Sequence, residues 1–257
     1  MVDFNGADKR LIAECFGRAL GTYDKNAVVQ KHMAATLASL MRHEGFPHGA
    51  SVYEVGAGTG LMTAEIVANF APRRVVANDL CADCAALVAR ASGGVAEFVA
   101  GDAEALPVPD GTDAVVSCSA VHWFDDKEAF FAKVATSLDD GKFFAFSSFG
   151  PNNMRELREL GHAGLEYDSA DEYATMLERA GLRVVASEDA LERVFFPDMR
   201  ALLSHFHETG VSGVRHGKWD MRETLRFRRE YERRFREERG LPLTYHPLFF
   251  VCVRVGE

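Results

Sequence analysis

The sequence predicts an α/β protein: a mostly parallel, seven-stranded sheet with helices on both faces and a helical lid. Two observations carry this. Between about residues 50 and 150, short apolar runs alternate with helical segments, the order that βαβ units impose on a parallel sheet. The first of those runs, Ser51-Val52-Tyr53, ends in Glu54-Val55-Gly56-Ala57-Gly58-Thr59-Gly60 and passes directly into the helical stretch Leu61-Met62-Thr63-Ala64-Glu65-Ile66-Val67. A strand that stops at a glycine turn and restarts as a helix is the opening of a ligand-binding βα unit.

The elements follow in order. Residues 1–45 read as mostly helical. Strand one lies near 51–56, and strand two, Arg74 to Asn78, ends at Asp79. Strand three, Ala96 to Ala100, ends at Gly101-Asp102, and strand four, Asp113 to Cys118, leads into Ser119-Ala120-Val121-His122-Trp123-Phe124. Strand five, Lys142 to Ser147, follows the turn at Gly141. A helix over 170–180 stops at Gly181, and strand six begins near Arg183. Residues 198–240 read as a helical insertion before a last strand, Pro247 to Arg254. The expected organisation is one domain over 1–257, with a core at about 46–197 and 241–257. The cap comes from about 1–45 and 198–240, over the carboxyl ends of the strands, where open α/β sheets bind ligands.

Composition narrows the function. The 257 residues are 47% hydrophobic, enough for a sizeable core. A net charge of −9 argues against nucleic acid or an anionic membrane as partner. No apolar run approaches the ~20 residues that span a bilayer. The start, MVDFNGADKR, has no apolar signal core, so the expected location is cytoplasmic. Five scattered cysteines do not make a disulfide framework. Cys81 and Cys84 form a C-x-x-C pair without a second ligand pair, so no metal site is expected. They read as small apolar residues on the first turn of a helix.

The glycine spacing is G-x-G-x-G. A dinucleotide fingerprint wants a third small residue at position 61, and Leu61 stands there. That points from a pyrophosphate toward a smaller nucleoside ligand such as S-adenosyl-L-methionine, with S-adenosyl-L-homocysteine as product. Asp79, next to Leu80, is placed to accept from both ribose hydroxyls, or else caps the next helix. Asp102 could accept from an adenine amino group beside the backbone of Ala103, or serve as a turn carboxylate. Glu54 could face a sulfonium cofactor's ammonium or organise the loop. The candidate cofactor-binding set is Glu54, Gly56, Ala57, Gly58, Gly60, Asp79, Leu80, Asp102, Ala103 and Ser119. His122 and Trp123, at the rim after strand four, read as a substrate wall or as core aromatics.

Over 221–239, Arg222, Arg226, Arg229, Arg233 and Arg236 fall in one helical stripe, with Met221, Leu225, Phe227, Tyr231 and Phe235 as the apolar face. The stripe is a solvated face with ion pairs such as Arg226–Glu230, or a basic patch for an acidic protein partner.

Residues outside the core add a resemblance. Cys15-Phe16-Gly17-Arg18-Ala19-Leu20, Tyr23-Asp24-Lys25, Ala27 and Gln30 stand near the start. Gly101-Asp102-Ala103-Glu104-Ala105-Leu106-Pro107 and Ser119 to Phe124 lie between, and Leu241-Pro242-Leu243-Thr244-Tyr245-His246 stands near the end. Over nearly its whole length the chain resembles the malonyl-[acyl-carrier protein] O-methyltransferases of biotin synthesis. The resemblance implies a Rossmann-like class I methyltransferase fold. It implies a methyl ester formed on the free carboxylate of a malonyl thioester, carried by acyl carrier protein or coenzyme A. It also implies that Tyr23 closes over cofactor and substrate. In the segment Ser204 to Arg215 the chain offers His207 and Arg215 where the family often has a basic residue before a glycine, so these two are the candidates to orient the carboxylate. The arginines at 222, 226, 229 and 233 are the candidate docking surface for the carrier. Two other readings are a methyltransferase for a small acid of the trans-aconitate type, and a non-catalytic cofactor-binding subunit.

Overall fold

The computed structural model describes residues 9–161, 165–209 and 221–256. Strands β1 (Ser51–Val55), β2 (Arg74–Asp79), β3 (Ala96–Ala100), β4 (Ala114–Cys118), β5 (Phe143–Phe149), β6 (Leu182–Asp189) and β9 (Pro247–Arg254) form one sheet of order β3-β2-β1-β4-β5-β9-β6. Pairing from β3 across to β5 is parallel, and β9 runs antiparallel between β5 and β6. The seven-stranded, mostly parallel sheet is therefore as expected. A second, two-stranded antiparallel sheet was not expected: β7 (Glu192–Phe196) pairs β8 (Leu241–Tyr245). Its strand β8 is the Leu-Pro-Leu-Thr-Tyr stretch, too short and too close to Pro247 to read apart from the last strand.

Burial on both faces explains why these strands read as continuous apolar runs. Along β4, Ala114 and Val116 face one layer and Val115 the other. Along β9, Phe249 and Val251 face the first layer, while Leu248, Phe250 and Cys252 face the second. The first layer is filled by α2 (Val28–His43) through Val29, Met33, Leu37 and Met41, and by α3 (Leu61–Phe70) through Met62, Ile66 and Phe70. On the second layer, α5 (Lys127–Ser137) brings Phe130, Phe131 and Val134, and α7 (Ala170–Arg179) brings Tyr173 and Leu177. There the Phe146 ring stacks on Phe144 and on Phe250, with centroids 5.0 Å apart in each case.

Short polar residues set the helix starts. Asp126 caps α5 by accepting from Ala129 N at 2.8 Å. Ser169 and Glu172 form a reciprocal capping box at α7. The remaining helices are α1 (Lys9–Asn26), α4 (Ala85–Ala91), α6 (Arg155–Glu159), α8 (Met199–Glu208) and α9 (Met221–Phe235). Of the N-terminal helices, α2 belongs to the core layer and α1 lies over the carboxyl ends of the strands, since Phe16 meets Gly58 and Lys9 meets Asp102. Among the described residues, no helix is long and apolar enough to cross a membrane.

Candidate functional site

Strand order reverses between β1 and β4, so the loops after them diverge and leave a crevice at the carboxyl edge. A cavity of about 180 Å³ occupies it. The floor is Val55 to Thr59, with Asn78, Asp79 and Leu80; one side is Gly101 to Ala103; the other is Cys118 to Ala120 with His122 to Phe124. Helix α1 closes the top with Lys9, Ile12, Ala13, Phe16 and, near its end, Tyr23.

Each glycine of the turn has its own reason. At Gly56, φ is 71° and an added Cβ would stand 2.2 Å from the Ala120 Cβ. At Gly58 a Cβ would meet the Phe16 ring of α1 at 3.1 Å. Gly60 does not line the cavity. It lets α3 approach α4, where a Cβ would lie 2.6 Å from Ala91 Cβ. Leu61, by contrast, lines the cavity, so the larger residue at that position faces the ligand space.

Asp79 leaves β2 with both oxygens on backbone amides. Oδ2 accepts from Gly58 N and Oδ1 from Cys81 N, each at 2.8 Å. Burial pushes its carboxyl up from the ordinary value, and the amides pull it back toward ionisation. Cys81 and Cys84 are free, buried and beneath this carboxylate, and no metal-ligand cluster occurs among the described residues. Ser119 holds a left-handed φ of 57°, with its amide on Ser147 and its hydroxyl toward Met33. Such strain in a non-glycine residue is typical of functional turns. It sends the following turn, with His122 and Trp123, along the cavity wall.

Of its two readings, Glu54 stands nearer the loop-organising one. It lies under the loop rather than on the cavity wall, and its Oε2 accepts from Thr63 Oγ1 at 2.6 Å. It braces α3 against β1 because the strand alternation turns its side chain away from the ligand side. Burial pushes its carboxyl up to about 7. His207 is exposed on α8 and does not line the cavity, and Arg215 lies outside the described residues. The arginines of α9 at 222, 226, 229 and 233 are exposed, far from any role in the cavity wall. Glu230 pairs with Arg233 at 2.7 Å and Arg234 at 3.6 Å, rather than with Arg226. Met221 and Leu225 are exposed instead of buried, and only Phe227 and Tyr231 of the apolar face are fully packed.

Three cavity-lining side chains hold buried polar atoms with no hydrogen-bond partner: Gln30 Oε1, Thr59 Oγ1 and His122 Nδ1. Leaving such atoms unsatisfied costs about 1–3 kcal/mol each, which a polar ligand can relieve. Burial, with Lys127 nearby, pushes the His122 imidazole down to about 3, so it is neutral. Burial pushes the Tyr23 phenol well above its ordinary value. Sequence reading missed Lys9, Phe16, Gln30 and Thr59 as site residues. Phe16 and Gln30 had a signal in the N-terminal motif they share with Tyr23, whereas Lys9 had none, because only the fold brings α1 over the glycine turn.

The glycine cradle, the Asp79 carboxylate, the acidic corner at Asp102 and the orphaned Gln30 and Thr59 atoms fit an S-adenosylmethionine better than a phosphate ligand, for which no cation lines the floor among the described residues.

Comparison with known proteins agrees. Residues 53–146 match the methyltransferase domain family. A malonyl-[acyl-carrier protein] O-methyltransferase from Chlorobium phaeovibrioides is 36% identical, over 96% of this chain and 97% of the relative. One from Bacteroides fragilis is 35% identical over 96% of this chain, which spans 50% of that longer relative. A crystal structure of magnesium protoporphyrin IX methyltransferase from Synechocystis, with bound S-adenosylhomocysteine, superposes with a TM-score of 0.58 at 13% identity, over 90% of this chain and 86% of that one. That last likeness speaks to the fold. The Chlorobium relative, matched almost end to end, speaks to the family: the chain belongs to the malonyl-[acyl-carrier protein] O-methyltransferases.

Proposed function

We propose that the protein methylates the free carboxylate of a malonyl thioester carried by acyl carrier protein, the early masking step of biotin synthesis. The observation that carries this, beside family membership, is that His122 and Tyr23, the described titratable side chains at the acceptor end, do no acid–base work. His122 is neutral and Tyr23 keeps its proton, so neither exchanges one near neutral pH. A malonyl carboxylate needs no base, because carboxyls of pKa near ~4 are already ionised at pH 7.

Bound in the cavity, S-adenosylmethionine supplies an activated methyl group. The protein's own residues supply position and dryness. Asp79 with Leu80 would hold the ribose, Asp102 and Ala103 the adenine, and Gly56, Ala57, Gly58 and Ser119 the amino-acid end. Tyr23, whose ring meets Phe16 edge-on at 5.0 Å, would close over the acceptor carboxylate. His122, packed against Phe149 and Trp123, would wall the acceptor with an uncharged edge. A neutral contact orients a carboxylate without quenching its nucleophilicity, as a tight cation would. Arg215 remains a candidate for a looser contact.

The test offers labelled S-adenosylmethionine with malonyl-carrier, malonyl-CoA or trans-aconitate. Label on the malonyl thioesters is expected, and label on aconitate alone overturns the reading. The exposed α9 arginines are proposed to dock the acidic carrier. Reversing Arg226, Arg229 and Arg233 to Glu should raise KM for malonyl-carrier about tenfold or more while sparing malonyl-CoA. Equal loss on both substrates would make α9 structural only.

A further inference from the structure

Lys9 opens α1 at the purine end of the cavity and reaches three carboxylates at once. Its Nζ lies 2.7 Å from Asp102 Oδ2, 2.5 Å from Glu104 Oε2 and 3.2 Å from Asp125 Oδ2. These partners sit on two loops. Asp102 and Glu104 follow β3, and Asp125 follows the turn that carries His122 and Trp123. Glu104 joins the loops again, since its Oε2 accepts from Asp125 N at 3.1 Å and its Oε1 from Asp126 N at 2.8 Å. From the far side, Lys133 donates to the carbonyls of Ala103, Glu104 and Leu106.

The Asp102 carboxylate is thereby pinned at both oxygens. Oδ1 accepts from Glu104 N at 2.9 Å, and Oδ2 takes Lys9. It cannot rotate, yet each oxygen keeps a second lone pair. Burial alone would raise this carboxyl, but the Lys9 hydrogen bond and the Glu104 amide overcome that and hold it below the ordinary range. Without Lys9, three carboxylates would face one another across a short gap, and repulsion would turn them outward to water.

We propose that Lys9 is a positioning residue for the nucleobase: it fixes the Asp102 carboxylate as acceptor for the exocyclic amine of a purine and, through the same contacts, holds α1 across the bound nucleoside. This rests on the reading that the cavity takes S-adenosylmethionine with its adenine at Asp102. The geometry separates this role from a plain surface ion pair. A surface pair would add little to binding and nothing to base preference. A pinned acceptor discriminates adenine, which presents an amine at position 6, from hypoxanthine, which presents a carbonyl there and meets the carboxylate with like polarity.

The experiment titrates S-adenosylhomocysteine and S-inosylhomocysteine calorimetrically into the wild-type protein, Lys9→Met and Lys9→Arg. The wild type should bind the adenine form more tightly. Lys9→Met should weaken that form about tenfold, the loss of a charge-assisted contact, and should narrow its advantage over the hypoxanthine form. Lys9→Arg should restore both. Dissociation from Lys9→Met should be faster in stopped flow. Should Lys9→Met be less stable without ligand, the ratio of the two affinities on one sample still decides. Unchanged affinity and unchanged base preference in Lys9→Met, with normal binding by the wild type, overturns the role of Lys9 alone. Failure of the wild type to bind S-adenosylhomocysteine overturns the cofactor reading itself.

Discussion

The glycine turn after β1 and the Leu-Pro-Leu-Thr-Tyr-His stretch at β8 are the two segments whose sequences stand out most, and the structure uses them in opposite ways. Around the turn, polar atoms are left wanting: Gln30 Oε1, Thr59 Oγ1 and His122 Nδ1 have no partner. Around β8, the polar groups are matched within the protein. Thr244 gives its amide and hydroxyl to the buried Glu156 at 3.0 and 2.5 Å. Tyr245 OH meets His205 Nε2 at 2.6 Å. His246 accepts from Asn152 N at Nδ1 and reaches Asp189 at 2.7 Å through Nε2. Tyr231 donates to the Pro242 carbonyl. A region built for a ligand keeps open valences, whereas a closed network serves the fold. Of the stretches that carry the family resemblance, the one at β8 thus lies off the cavity wall, while Phe16, Tyr23 and Gln30 of the N-terminal motif line it and the glycine turn forms its floor.

Substitutions can break this contrast. The largest effect is expected at the turn. Gly56→Ala combines a left-handed φ, costing about 1–2 kcal/mol, with overlap on Ala120, and should weaken S-adenosylhomocysteine binding by about a hundredfold in calorimetry. Intact affinity would mean that the loop yields freely. Next comes the closed network. Glu156→Ala strands the Thr244 amide and hydroxyl and should cost about 2–3 kcal/mol in denaturant unfolding, with ligand affinity in the surviving folded protein unchanged. A parallel loss of affinity would join the two regions.

A third effect, read as a pH dependence, concerns Glu54 at the end of β1 beneath the turn. Its folded carboxyl is raised to about 7 from 4.5, so the folded state holds a proton that the unfolded chain releases first. Glu54's contribution to stability is therefore full below pH 4.5 and declines as pH rises toward 7, by about 3 kcal/mol. Glu54→Gln, which still accepts from Thr63, should flatten that decline in the ligand-free protein. A wild-type profile with no such slope would show that burial leaves the carboxyl's hold on its proton as it is in the unfolded chain.

Much of this was legible in the residues. Both-face burial made the strands near-continuous apolar runs, so strands one to six and the last are recognisable from Val75-Val76-Ala77 or Phe249-Phe250-Val251 alone. The pair β7–β8 was not, because Glu192 to Phe196 follows β6 after only two residues, and Pro242 weakens the strand signal of its partner. Helix α9 was legible as a helix but not in its packing. Met221 and Leu225 share the apolar phase yet stay exposed, because among the described residues the core beneath that helix is met by Phe227, Tyr231 and, in part, Phe235. At the site, motif positions were visible where chemistry demands one residue type, as at Gly56 and Asp79. Lys9 was invisible, since a lysine at a helix start signals nothing until the fold sets it beside Asp102, 93 positions away.

The placement of β9 also governs assembly. It is inserted between β5 and β6, with Phe143 paired to Val253 on one side and Leu182 to Arg254 on the other. As the chain leaves the ribosome, β1 to β5 can pair in turn, but β6 has no seat until residues beyond 247 are free. Until then β5 presents an unpaired, apolar edge, the kind of surface that invites association between chains. The half that binds the nucleoside is thus local in sequence and early, and the half that completes the sheet waits for nearly the whole chain.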